Sequence, residues 1–115
     1  MELQELIDNV RAWGIAKGIT GPDGKGTLLG QLAKTQEELT ETRDAAVIWN
    51  YLGKGYLDTG WTHAQIMDGI GDCAVTLILA AEMADLRFED CLAAAYNEIK
   101  GRTGTMQGGQ FVKDA

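Results

Sequence analysis

The chain has 115 residues, 45% of them apolar and three of them tryptophan, which suits one domain with a single modest core. Its formal charge of −7 argues against nucleic acid as a partner, because phosphate backbones want Lys/Arg surfaces, yet it leaves room for a nucleotide bridged to carboxylates by metal ions. One proline against 15 glycines, with abundant Ala, Leu, Ile and Glu, leans toward helix.

The first predicted helix runs from about Glu2 to Lys17, with Leu3, Leu6, Ile7, Val10 and Trp13 on one stripe. This acidic, amphipathic segment does not read as a signal peptide. No apolar run reaches the ~20 residues that a membrane span needs. A soluble, cytoplasmic protein is expected, and neither nucleic acid nor membrane is expected as a partner.

"GITGPDGKG" follows as a glycine-rich loop. It fails the phosphate-loop pattern, since Lys25 is followed by Gly26 rather than Ser/Thr and no strand precedes it. It reads as a flexible connector, with a loop closing over a ligand as the alternative.

The second helix is expected from near Thr27 to Tyr51 or Leu52, and "GKGYLDTGW" is the next loop. Thr62 reads as the N-cap of a third helix ending near Met83. That helix is apolar on nearly all sides around "CAVTLILAA" and should be central in a bundle. A fourth helix is expected from Phe88 to Lys100, then a glycine-rich tail with no alternating strand pattern. Cys73 and Cys91 have no CxxC spacing and read as small buried apolar residues. The fold expected is all-α: an antiparallel bundle of about four helices, in one domain over residues 1–115.

The second helix gathers Glu37, Glu38, Glu41 and Asp44 within eight residues, and like charges one turn apart cost a few tenths of a kcal/mol each. The ordinary explanation is a solvated face. However, the row Glu38, Glu41, Ala45, Ile48, Leu52 turns aliphatic, which points it toward protein, with Glu37 beside it. On the third helix Asp68, Asp72, Val75 or Thr76, and Leu79 repeat the device. Carboxylates from antiparallel neighbours that converge in a partly buried site would raise one another's pKa values unless divalent cations neutralise them. With all-oxygen ligands, Mg²⁺ or Mn²⁺ suits Glu38, Glu41, Asp68 and Asp72 better than zinc. A diiron bundle would want Glu-x-x-His, and the one histidine, His63, does not follow a glutamate by three.

Glu37-Glu38-x-x-Glu41 on one helix, and an acid pair ending in Asp72 on the next, resemble the signature of the MazG-like all-α nucleoside triphosphate pyrophosphohydrolases. Gln31 and Lys34 precede the first half as similar residues do in that family. Where the family has Glu, three residues before the Asp, this chain has Gly69, and Asp68 is the expected substitute. The resemblance covers about residues 28–112. It implies a dimer or dimer of dimers, and hydrolysis of a nucleoside triphosphate to monophosphate and pyrophosphate. It also implies phosphate contacts from Lys34, Asn97, Lys100 and Arg102.

On this reading Glu37, Glu38 and Glu41 are the catalytic carboxylates, with Glu37 a further metal contact or the group that positions the water. Among Trp13, Trp49, Trp61, Tyr51 and Tyr56, Trp61 is the expected base-stacking residue, because it is read as lying in a loop before the metal helix. The rival enzyme is phosphoribosyl-ATP pyrophosphohydrolase. The rival from another class is a non-catalytic helical interaction module.

Overall fold

The computed structural model describes residues 1–52 and 59–115. Four helices follow one another: α1 (Leu3–Ala16), α2 (Leu28–Leu52), α3 (Thr59–Met83) and α4 (Phe88–Ile99). Two short strands, β1 (Gly104–Gln107) and β2 (Gln110–Lys113), close the chain as an antiparallel hairpin. Among the described residues no helix is long and apolar enough to cross a membrane.

α3 is central, as its apolar girth predicts. It touches each of the other three helices, and Ile78, Leu79, Ala80 and Ala81 supply most of the buried apolar core. The main packing is α2 on α3. Thr35 and Thr76 share a 2.7 Å hydrogen bond, Thr42 lies against Gly69, and the rings of Trp49 and His63 are 5.4 Å apart. As numbers rise along α2 they fall along α3, so the pair is antiparallel. The α2 positions step by seven, the repeat of a coiled-coil seam.

Apart from Ala46, the less exposed residues of α2 are Gln31, Thr35, Glu38, Thr42, Ala45 and Trp49, in alternating steps of four and three. The inward row therefore passes through Thr42 and not Glu41, and both Glu41 and Ile48 are exposed. The facing row of α3 is Thr62, Ile66, Gly69, Cys73, Thr76 and Ala80. Small residues dominate it, so the two backbones can come close.

α1 joins through Ile7 and Gly14, both buried; a Cβ on Gly14 would stand 2.5 Å from Leu79 Cδ2. Leu3, Leu6 and Trp13 of the expected stripe remain exposed. The firmer attachment is ionic. Arg11, with 13% of its side chain exposed, donates to Glu82 of α3 at 2.7 Å and to both carboxylate oxygens of Glu89 in α4. One guanidinium thus ties three helices together. α4 has no buried residue of its own, and Cys91, expected to be buried, is exposed; Cys73 lies half-buried in the α2–α3 seam.

Two expectations are corrected. The tail is a hairpin: Gly108 and Gly109, at φ 57° and 79°, form a two-residue turn that needs positive φ at both positions. The third helix begins at Thr59, so Trp61 is helical, and Thr62 is a buried seam residue with 1% exposure rather than a cap. Residues 53–58 of the expected loop, Tyr56 among them, lie outside the described residues.

Arg11→Ala takes the cation from Glu82 and leaves Glu89 only Arg87 and Gln4, so a loss of about 1–3 kcal/mol is expected in urea unfolding. Arg87→Ala is the control. It also pairs with Glu89 but is 61% exposed, and its removal should shift stability by less than about 0.5 kcal/mol.

Candidate functional site

Glu38 occupies a seam position of α2, with 13% of its side chain exposed. Its carboxyl is held above the ordinary glutamate pKa, first by burial, then by the charges of Glu41 and Asp72, while Lys34 pulls the other way. The antiparallel register therefore brings Glu38, Glu41 and Asp72 into electrostatic contact across the two helices. Asp68 and Asp72, one turn apart, are both exposed, and of the two only Asp72 is among the charges that move Glu38. Glu37 is also largely exposed and accepts a hydrogen bond from Lys34 Nζ at 3.2 Å. The same ammonium is 3.6 Å from Glu38 Oε1. These bonds and charges hold Lys34 above its ordinary pKa, the hydrogen bond to Glu37 contributing most.

Lys34, Glu38 and Asp72 line one cavity of about 600 Å³, within the range of small-molecule sites. Gln31 lies between Lys34 and the start of α2 on the same wall, and Val75, Thr76 and Leu79 of α3 form the floor. Trp13 and Ile19 come from the α1 side, and Lys25, Gly26 and Thr27 of the glycine loop complete it. None of Trp61, Asn97, Lys100 and Arg102 lines it. Trp61 is 58% exposed at the start of α3. Lys100 donates to Asn97 at 3.3 Å, and Arg102 pairs with Glu98 at 3.4 Å, past the last turn of α4.

The sequence offered the loop as a ligand-covering segment only as an alternative, and Trp13 only as one of five aromatic candidates; both line the cavity. The loop is no slack connector. Lys25 N–H donates to Gly18 O and Gly26 N–H to Ile19 O, both at 2.9 Å, and Gly18 and Gly21 take φ of 75° and 86°. A Cβ at Gly26 would stand 2.5 Å from Met83 Cε and 2.7 Å from Ile19 O, so this position admits only glycine. The positive-φ glycines were the available signal that the segment folds back on α1.

Among the described residues no three His, Cys, Asp or Glu side chains are gathered as a ready-made metal cage. The donor set still fits a hard divalent cation in kind. Its ligands are all carboxylate oxygens, and Glu38 lies in a desolvated seat beside two like charges with one lysine partly compensating. Comparison with protein-family models, curated proteins and solved structures gives no match.

Gly69 is not an open position awaiting a ligand. A Cβ there would run into Thr42 Oγ1, with Thr42 Cβ at 2.9 Å, so a glutamate cannot be added without parting the helices. Gly69→Ala is expected to destabilise the fold by about 1–2 kcal/mol although alanine is the better helix former, because overpacking outweighs propensity. Gly69→Glu should do the same rather than strengthen the site, and Thr42→Ala should relieve part of the loss in a double-mutant cycle.

Glu38 also sets a pH dependence. Because its folded pKa is raised, the folded state holds the proton more tightly than the unfolded chain does. The resulting penalty is absent below the ordinary glutamate pKa of about 4.3, grows as pH rises toward the folded value, and is complete above it. In metal-free buffer Glu38→Gln should therefore melt higher than wild type at pH 7, and the difference should vanish at pH 4.

Proposed function

We propose that the chain hydrolyses a nucleoside triphosphate to the monophosphate and pyrophosphate, with Mg²⁺ or Mn²⁺. The observation that carries this reading is the seat of Glu38, desolvated in the seam, beside Asp72 and Glu41, and opening on a cavity that also presents Lys34. It agrees with the MazG-like resemblance of Glu37-Glu38-x-x-Glu41 and Asp72.

Glu38, Glu41 and Asp72 would hold the cation, with Asp68 one turn away as a further oxygen donor. The ion supplies charge neutralisation and Lewis acidity at the phosphates. The residues do the rest. Lys34 reaches phosphate oxygens from the wall between the acids and the loop. Glu37, the outermost carboxylate, orients the attacking water or takes its proton. The apolar floor of Val75 and Leu79 limits water around the reacting phosphorus. Water oxygen bonds to the α-phosphorus, the bond to the bridging oxygen breaks, and pyrophosphate leaves.

Self-association belongs to the same proposal. A monomer of 12.4 kDa is expected to expose about 6,100 Å², and this chain exposes 8527 Å². The excess of about 2,400 Å² far exceeds the roughly 800 Å² that each partner gives to a standard interface. The radius of gyration, 16.9 Å, likewise exceeds the roughly 13 Å of a compact domain this long. Leu92, Tyr96 and Ile99 of α4 and Phe111 of β2 are each at least 50% exposed, and these surfaces fit a dimer or dimer of dimers. Asn97, Lys100 and Arg102 would then serve a site through the assembly rather than within one chain.

The decisive measurement is hydrolysis in ¹⁸O-labelled water across a panel of nucleoside triphosphates and phosphoribosyl-ATP. Label is expected in the monophosphate, with pyrophosphate in equal amount. Label in orthophosphate with accumulating diphosphate would overturn the assignment, and the preferred substrate separates the two enzyme readings. Glu38→Gln and Asp72→Asn should each lower kcat/KM by about 100-fold or more while helical content persists. Light scattering at micromolar concentration should give a multiple of 12.4 kDa.

A further inference from the structure

The cavity is graded in charge along α2. Glu38 and Asp72 mark one end, and Lys25, beside the start of the helix, marks the other. From Gly30 to Glu38 the wall rises by about 12 Å at 1.5 Å per residue. Gln31 and Lys34 lie between. The two lysines differ in one respect: Lys34 is engaged with Glu37 and Glu38, whereas Lys25 forms no ion pair with any described residue. Its backbone is nonetheless fixed, by the bond from Lys25 N–H to Gly18 O and by its neighbour Gly26, which has no room for a side chain. A cation whose anchoring loop is already ordered loses little entropy on meeting an anion. The positive end of the α2 dipole adds to it. At the acidic end Trp13, 46% exposed, borders both this cavity and an adjoining hollow that again includes Asp72 and Val75.

We propose that the cavity under the glycine loop takes the nucleoside triphosphate in one orientation, with the base against Trp13, the α-phosphate at Glu38 and Asp72, and the outer phosphates on Lys25. This rests on the proposed hydrolase function and adds two substrate-binding residues to it. Lys25 then neutralises the charge that collects on the departing pyrophosphate, and Trp13 offers a face on which any base can stack. The glycine loop is thereby a phosphate-binding element without being a Walker loop. Its cation comes from a side chain whose backbone is bonded to Gly18, just past the end of α1, not from a Gly-Lys-Ser/Thr turn.

The test separates binding from chemistry by using inorganic tripolyphosphate with Mg²⁺ as the calorimetric probe. Wild type should bind it, Lys25→Ala about tenfold or more weakly, and Lys25→Arg within about threefold of wild type. Lys17→Ala removes the same charge from the end of α1 outside the cavity and should bind as wild type does. Trp13→Leu should leave tripolyphosphate affinity unchanged but raise KM for the nucleotide about tenfold, and Trp13→Phe should restore most of it. Equal tripolyphosphate binding by Lys25→Ala and wild type, or no binding by wild type, overturns the Lys25 assignment. Loss of tripolyphosphate affinity in Trp13→Leu overturns the orientation. A wild type that binds the probe through Lys25 yet hydrolyses no nucleotide sinks the hydrolase reading and leaves the anion site standing.

Discussion

The arrangement of this molecule depends on how closely α2 and α3 approach at Thr42 and Gly69. The Thr42 side chain lies directly on the glycine, which contributes no side chain of its own. A mid-helix glycine costs about 1 kcal/mol against alanine, so it marks a place where contact distance matters more than propensity. Seven residues toward the start of α2, two threonine hydroxyls bond across the seam; seven toward its end, Trp49 meets His63. Between Thr35 and Thr42 lies Glu38, and the register sets it opposite the turn that holds Asp72 and Cys73. The charged pair is thus a consequence of small-residue packing on either side of it.

The attachment of α1 and α4 obeys a different logic. Neither buries much apolar surface within the chain, and α4 buries none of its residues fully. What fastens them is Arg11, gripping Glu82 and Glu89, with Gln4 and Arg87 also on Glu89. Such a polar knot fixes orientation better than it supplies stability, because partly desolvated ions recover little free energy beyond their own dehydration. The apolar residues it leaves outward on α4 and the hairpin are those that a second copy could cover. A hairpin of two four-residue strands is marginal on its own in water, which points the same way.

Most of the helical frame was legible in the sequence, since periodicity and glycine punctuation bound α1, α2 and α4 to within a residue or two. The apolar girth of α3 announced its central place. The phase of α2 was not legible. Glu38, Glu41, Ala45, Ile48 and Glu38, Thr42, Ala45, Trp49 are both admissible 3.6-residue rows, and aliphatic residues favour the first. The seam chose the second because its holes are small, and a threonine fits against Gly69 where an isoleucine would not. Glu38 lies inward because the two rows share it; Glu41, Asp68 and Asp72 were given more inward roles than their exposure allows. The hairpin escaped because four-residue strands carry almost no alternation, although Gly-Gly between Gln107 and Gln110 is a turn signal in itself. The loop cation escaped because Lys25 is far in sequence from Glu38 and Asp72, and only the fold-back onto Gly18 and Ile19 returns it to the wall beside α2.

The order of charges on α2 departs from what helix stability favours, in a way that the proposed function accounts for. Lys34 precedes Glu37 and Glu38, the weaker orientation for i,i+3 and i,i+4 pairs, because it sets a cation on the N-terminal side of its anions against the helix dipole. Stability of α2 alone would favour the reverse order. It would also favour Ala or Lys at Glu38, whose carboxylate is disfavoured by burial and by two like charges. Both departures face one cavity, and they come at the boundary between its basic and acidic halves. A lysine at that boundary can meet a phosphate on one side while restraining Glu37 and Glu38 on the other. Reversing the order would carry the cation about a turn or more beyond the acids, away from Gln31 and the glycine loop. The unfavourable sequence is the one that places Lys25 and Lys34 on one side of the carboxylates, the pattern that the proposed binding of a triphosphate along α2 requires.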